Sequence, residues 1–267
     1  MIQRVLIGNI NFDAKLSRFK KKLKHTIYGN ILFPLFTKIC YVGENNKNFF
    51  IAYGVPPNKL IKLPHAIDNS RFRDYYNKNL GKIDAVKTEL GIKDKFNLLF
   101  VGRLHESKRV LDVIKAVETL SSDINLLIVG DGLMRQELED YIHDKKLSSC
   151  KILGFKNQIE IMNYYLVADA VVLPSNYLET WGLVINEAMN FNLPVLLSEK
   201  VGCAPDLCNL QNGFIYKMGD IKTLANHIDF MVQNPNIAKR MGEESGALIQ
   251  QYTYDAIISN LLQSLDK

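Results

Sequence analysis

From about residue 94, short apolar runs alternate with longer stretches whose apolar residues recur every three or four positions. The runs are FNLLFVG, NLLIVG, KILGF, AVVLP and LPVLLS, and the periodic stretches between the first four cover about 109–120, 134–146 and 159–167. Strand, helix and strand in that rhythm predict βαβ units on a parallel sheet. LLIVG and AVVLP contain no polar residue to face water, so these strands are expected to be buried on both faces, as in a doubly wound sheet. Three more helical stretches close the chain, at roughly 221–233, 236–250 and 254–265, and Pro235 separates the first two because it cannot continue a helix.

Residues 1–75 read differently. They offer a strand at 4–8, a basic helix, the run KICYVG, a helix near 44–53 and the stretch NKLIKLPHAIDNSRF. Two or three strands with so few helices make a poor independent domain. The polar segment DYYNKNLGK at 74–82 is rich in turn formers and is expected to be the boundary. The chain thus divides into a partial N-terminal domain, 1–75, and a complete C-terminal domain with closing helices, 76–267.

Composition narrows the class. Hydrophobic residues make up 47 % and charged residues 23 %, and no apolar run approaches the roughly 18 residues of a membrane-spanning helix. The N-terminus lacks the leading positive cluster and small-residue cleavage site of a secretory signal, so a cytoplasmic setting is expected. Cys40, Cys150, Cys203 and Cys208 form no Cys-x-x-Cys pair and the histidines complete no zinc pattern, which favours reduced, buried thiols.

The net charge of +5 is local: residues 1–30 hold seven basic groups and one acidic, leaving 26 basic against 27 acidic elsewhere. The basic groups lie in DAKLSRFKKKLKH, where Leu16, Phe19 and Leu23 recur at helical spacing. This is either a solvated helix face or, through residues 15–24, a surface drawn to anionic lipid headgroups at the inner face of a membrane. No nucleic-acid-binding motif accompanies it.

In a doubly wound sheet, ligands bind beyond the carboxyl ends of the strands, so the residues just after each strand carry the interest. Gly102 and Arg103 follow NLLFV, with Lys108 five residues on in GRLHESKR. An Arg fork and a mobile Lys charge suit a diphosphate, although two surface cations beside Glu106 read the same way. The GDG at 130–132 resembles a dinucleotide fingerprint but has Arg135 where the third glycine belongs; a tight strand-to-helix turn explains it equally. Phe155 after KIL is placed to hold a flat base or is simply an apolar loop residue.

After AVVLP comes ETWGLVINEAMNFNLPV, in which Glu179 and Glu187 are separated by seven residues. Gly182 opens a helix whose free amides, with that of Leu183, can meet phosphate. Glu187 can accept hydrogen bonds from a sugar diol, unless Asn186, Glu187 and Asn190 form a solvated helix face.

Taken in order, LPHAIDNSRF, LLFVGRLHESKR, LLIVGDG, LGF, ADAVVLPS, ETWGLVINEAMNFNLPVLLS, VGCAPDL and NGFIY resemble the C-terminal half of a glycosyltransferase family 4 enzyme, over about residues 40–265. The resemblance implies an α/β protein of GT-B fold, with a complete C-terminal Rossmann-like parallel sheet and a partial N-terminal, acceptor-side domain. It implies transfer of a sugar, with retention, from a nucleotide diphosphate-sugar to a glycan or lipid-linked acceptor in polysaccharide or glycolipid assembly. No cofactor and no obligatory metal are implied, and the chain has no Asp-x-Asp. By similarity, Arg103 and Lys108 neutralise the diphosphate, Glu179 contacts the donor sugar, Glu187 the ribose, and Gly182 and Leu183 amides the phosphates or sugar, with Gly102 and Phe155 completing the binding site.

The departures are Arg109 where Gly is usual, Trp181 where Phe is common, Asn192 for a Gly, and Cys203 and Asp206 in VGCAPD for Gly and Glu. Asn192 is expected to serve as a left-handed helix C-cap in glycine's place. Most of the N-terminal Rossmann domain of such enzymes has no counterpart here. A separate chain supplying it is one implication; a nucleotide-sugar-binding remnant without turnover is the alternative. If the N-terminal remnant lacks its own domain, apolar surface from ILFPLF at 31–36 is expected to be exposed or paired with another chain.

Overall fold

Among the described residues, nearly every apolar run becomes a strand and every periodic stretch a helix, in two compact units. The computed structural model describes residues 5–7, 23–92, 94–120, 123–176 and 179–265. The smaller unit comprises residues up to Ile67 together with those from Tyr252 onward, and the larger is Asp68–Gln251.

In the smaller unit, β1 (Val5–Ile7), β2 (Lys38–Tyr41) and β3 (Leu60–Lys62) form a parallel sheet in that order, with α1 (Glu44–Ala52) after β2. Its core is Phe33, Ile39, Phe49, Phe50, Tyr53 and Val55. The Phe49 and Phe50 rings meet edge to face at 5.6 Å, the arrangement their quadrupoles favour. Within ILFPLF, Phe33 is buried, whereas Ile31 and Leu35 are 60 % and 54 % exposed, so part of the expected apolar surface does face outward. The basic stretch of residues 15–22 lies outside the described residues.

The division falls earlier than the polar segment suggests. Instead of a turn, the chain forms α2 (Asn69–Asn79), a 3-10 turn and α3 (Ile83–Glu89), all in the larger unit. Asp68 caps α2 by accepting from the Arg71 amide at 3.1 Å. Phe72 is buried, and the Tyr75 and Tyr76 rings lie 6.3 and 5.9 Å from Phe191. The polar residues that read as a linker are the outer face of a one-sided helix.

The larger unit is built on β4 (Phe96–Val101), β5 (Ile124–Val129), β6 (Cys150–Ile152), β7 (Ala170–Leu173), β8 (Val195–Ser198) and β9 (Gly213–Tyr216). All pairings are parallel, in the order β6-β5-β4-β7-β8-β9, with Leu98 of β4 opposite Leu126 on one side and Ala170 on the other. Leu98, Leu99, Leu126, Leu127, Val171 and Val172 are fully buried, as strands covered on both faces must be. The helices are α4 (Val110–Glu118), α5 (Arg135–Asp144), α6 (Ile161–Val167), α7 (Leu183–Met189), the single turn α8 (Ala204–Leu207), α9 (Ile221–Gln233) and α10 (Pro235–Ile249).

This order has one reversal. The chain steps outward from β4 through β5 to β6, then returns to the other side of β4 and steps outward again from β7. Connections leave β4 and β7 in opposite directions, which opens a crevice at their carboxyl ends. The last helix, α11 (Tyr254–Leu265), belongs to the smaller unit and not to the larger, where its place in the sequence puts it. There Asn260 Nδ2 donates to the Lys62 carbonyl of β3 at 3.1 Å. Among the described residues no helix is long and apolar enough to cross a membrane.

Candidate functional site

The strand-end turns of β4, β5 and β6 are tied together by backbone. Gly130 has φ +147°, and a Cβ there would lie 1.8 Å from the Gly102 carbonyl oxygen, so only glycine allows the two turns to touch. Its amide also donates to the Gly154 carbonyl at 2.9 Å. The GDG therefore serves a close approach between turns. Arg135 opens α5 and pairs with Asp131 at 2.9 Å and Glu139 at 2.8 Å, an exposed local network.

Beside these turns lies a recess of about 320 Å³ whose walls include Gly102, Arg103, Phe155 and Glu187. Val101, Val129, Ile161 and Val184 make it apolar inside, while Asp131, Asn157 and Gln158 supply polar groups. Such a cleft suits a flat ring held by a few placed hydrogen bonds. Arg71 bridges to the Gln158 side chain and carbonyl, both at 3.1 Å.

Glu187 is oriented from below. The Tyr165 hydroxyl donates to its Oε2 at 2.7 Å, and Tyr165 is itself fully buried with its ring 5.4 Å from Phe191. Oε1 accepts no hydrogen bond among the described residues. Asn186 and Asn190 are wholly buried: Trp181 Nε1 donates to Asn186 Oδ1 at 2.9 Å, and Asn190 Nδ2 to Asn69 Oδ1 at 2.9 Å. The reading of these residues as a solvated helix face is thereby excluded, because α7 packs inward on two sides. The same bond gives Trp181 a role that Phe cannot fill.

Burial holds the Glu187 carboxyl above its usual range; the Tyr165 hydrogen bond and the charge of Arg71 act against this without overcoming it. The folded protein thus holds this proton more tightly than the unfolded chain. Its contribution to stability is full below the unfolded pKa and is lost as pH rises through the folded one. Glu187→Gln, neutral at every pH, is expected to raise Tm at pH 8 relative to wild type, with the gap closing toward about pH 4. Thermal melts across that range check this, and a gap independent of pH would contradict it. An acid held against the preference of the fold is common at binding sites.

On the other side of Arg103 is a polar recess of about 420 Å³, lined also by His105, Ser107, Lys108, Ser175, Glu179 and Thr180. Lys108 Nζ forms an ion pair with Glu179 Oε2, which also accepts from Ser175 Oγ at 3.3 Å. The two residues read separately from the sequence are therefore engaged with each other. Arg103, in contrast, is exposed and makes no ion pair among the described residues.

Gly182 and Leu183 line neither recess. Gly182 caps α7 at φ +100°, where a Cβ would meet Leu173 Cδ2 at 2.7 Å, and Leu183 is 43 % exposed at the start of the helix. Arg109 adopts φ +51°, the left-handed conformation that makes Gly usual there, with Nε donating to Asp112 at 2.6 Å. Asn192 is left-handed as expected, at φ +55°. Cys203 is fully buried, its amide donating to the Trp181 carbonyl at 3.1 Å. Sequence reasoning singled out neither Tyr165 nor His105, since each acts through a hydrogen bond that no residue pattern displays.

The family model described as glycosyl transferases, group 1, matches residues 82–247. An uncharacterized glycosyltransferase of Methanocaldococcus jannaschii is 23 % identical over 213 residues, covering 79 % of this chain and 60 % of its own. The capsular polysaccharide biosynthesis glycosyltransferase CapM of Staphylococcus aureus is 21 % identical over 227 residues, covering 84 % and 56 %. The chain thus spans little more than half the length of these relatives. Among solved structures, Anabaena HepE in complex with UDP superposes with a TM-score of 0.82 at 20 % identity, over 99 % of this chain and 72 % of that one. That likeness shows a shared fold.

Proposed function

This chain belongs to the group 1 glycosyl transferases, and on that premise we propose that it moves a sugar from a nucleotide diphosphate-sugar to a glycan or lipid-linked acceptor, with retention of configuration, in the manner of glycosyltransferase family 4. The observation that carries the reading is the position of Arg103, which borders both the apolar recess that contains Glu187 and the polar recess that contains Lys108 and Glu179. A nucleotide diphosphate-sugar has the same order: a flat nucleoside, a double anion, a polyhydroxylated ring.

In this reading the base enters the apolar recess beside Phe155 and the ribose hydroxyls donate to Glu187 Oε1. The diphosphate meets Arg103 and draws Lys108 from its ion pair. Glu179, so released, accepts from hydroxyls of the donor sugar. As the bond to the sugar breaks, negative charge grows on the departing diphosphate, and the cations that binding has brought to it stabilise that charge. Arg103 and Lys108 here do the work that a metal ion does in other sugar transferases, so no metal is required. The acceptor is held by an N-terminal, acceptor-side domain, on the same polypeptide or on another, at the cytoplasmic face of a membrane whose anionic headgroups attract residues 15–24.

Calorimetry with UDP, GDP and ADP, followed by incubation with the radiolabelled sugar donors, tests this. Binding of one diphosphate and transfer of its sugar is the expected result; no binding of any of them sinks the proposal. Because the chain spans little more than half of its relatives, the second reading is a nucleotide-sugar-binding protein without turnover of its own. Binding with no transfer, even in the presence of neighbouring gene products, selects it.

A further inference from the structure

The turn after β4 carries one more donor than the proposed site uses. His105 lines the polar recess together with Arg103, Lys108 and Glu179. Its ring is fixed: Nδ1 accepts from the Ser107 amide at 3.2 Å and lies 3.0 Å from the Ser107 hydroxyl, closing the single 3-10 turn Glu106–Lys108. An amide that donates to Nδ1 requires a lone pair on that nitrogen, so the hydrogen of the neutral ring sits on Nε2. Nε2 has no partner among the described residues.

We infer that His105 donates its Nε2 hydrogen to the diphosphate of the sugar donor, beside Arg103; the assignment rests on the proposed function. A neutral donor suits this place. The recess already holds a Lys108–Glu179 pair whose separation a further full charge would disturb, whereas an N–H held by the backbone adds a hydrogen bond to a growing anion at no rearrangement. The turn that fixes the ring also carries Lys108, so the two groups are delivered together.

The competing account is that His105 only closes the turn, and two substitutions separate them. In His105→Asn, the side-chain oxygen replaces Nδ1 and keeps the turn, but nothing reaches the Nε2 position. In His105→Gln, the amide nitrogen reaches that position and the turn loses its cap. Titrations with UDP and GDP are compared with the matching nucleosides, alongside thermal melts.

His105→Asn is expected to melt like wild type, to bind the diphosphate about tenfold more weakly and to bind the nucleoside unchanged, while His105→Gln retains most diphosphate affinity. The reverse order, with Asn like wild type and Gln impaired, assigns a structural role and overturns the inference. So does an equal loss for diphosphate and nucleoside. A wild type that binds nucleoside but shows no gain from the diphosphate removes the phosphate site, whereas one that binds neither fails the underlying reading and takes this assignment with it.

Discussion

Arg103→Ala is expected to lower sugar transfer by about 10²–10³-fold, the usual effect of removing one preorganised donor from a developing anion. Among the described residues, Arg103 is the cation that borders both recesses, and no carboxylate occupies it. Lys108 lines the polar recess and not the apolar one, and reaches the diphosphate only by leaving Glu179. A Lys at position 103 restores charge without the planar fork, and recovers only part of the rate. Single-turnover measurement with labelled donor reads the chemical step, and titration with the nucleoside diphosphate reads ground-state binding. The larger loss is expected in the former. Arg103→Ala within about threefold of wild type in both would remove Arg103 from the site.

Gly130→Ala is expected to have the largest effect on stability, a loss of about 3 kcal/mol and about 10 °C in Tm, together with loss of nucleotide binding. The added carbon would sit 1.8 Å from the Gly102 carbonyl oxygen and 2.9 Å from its carbon. These are backbone atoms, which cannot swing aside as the tip of a side chain can. Either β4 or β5 must shift at its exit, and the turn that presents Arg103 shifts with it. Gly54→Ala is the control: it also has a positive φ, +83°, but open space around the new carbon. It is expected to cost only about 1 kcal/mol, the backbone strain by itself. Equal losses for the two would show that contact with Gly102 does not govern the position.

Much of the larger unit is legible in the sequence because its elements satisfy local rules. LLIVG and AVVLP are buried strands whichever neighbours they have, and the stretches read at 221–233 and 254–265 are helices over those same residues. Asn69–Asn79 escapes such reading, since one buried Phe and two half-buried tyrosines are little signal among eight polar positions. β9 is hidden by its shortness and by an edge position that leaves Phe214 and Ile215 partly outside. Strand order and the allegiance of the last helix are properties of tertiary packing, to which periodicity is blind.

The site follows the same division. Positions after strands direct attention to Gly102, Arg103, Phe155 and Glu187, which meet at one recess, and to Lys108 and Glu179, which meet at the other. That Lys108 and Glu179 join each other across 71 residues is not visible in either motif. Nor is the support of Glu187 by Tyr165, 22 residues earlier and on another helix.

The return of α11 to β3 bears on the order in which the molecule matures during synthesis. Lys62 and Asn260 are 198 residues apart in the chain yet share a hydrogen bond in the smaller unit. The larger unit has all its residues once Gln251 has been made, whereas the smaller unit must wait for residues that follow it. The strands of the smaller unit are therefore made before the larger unit and completed after it, and until α11 emerges β3 lacks its helical cover.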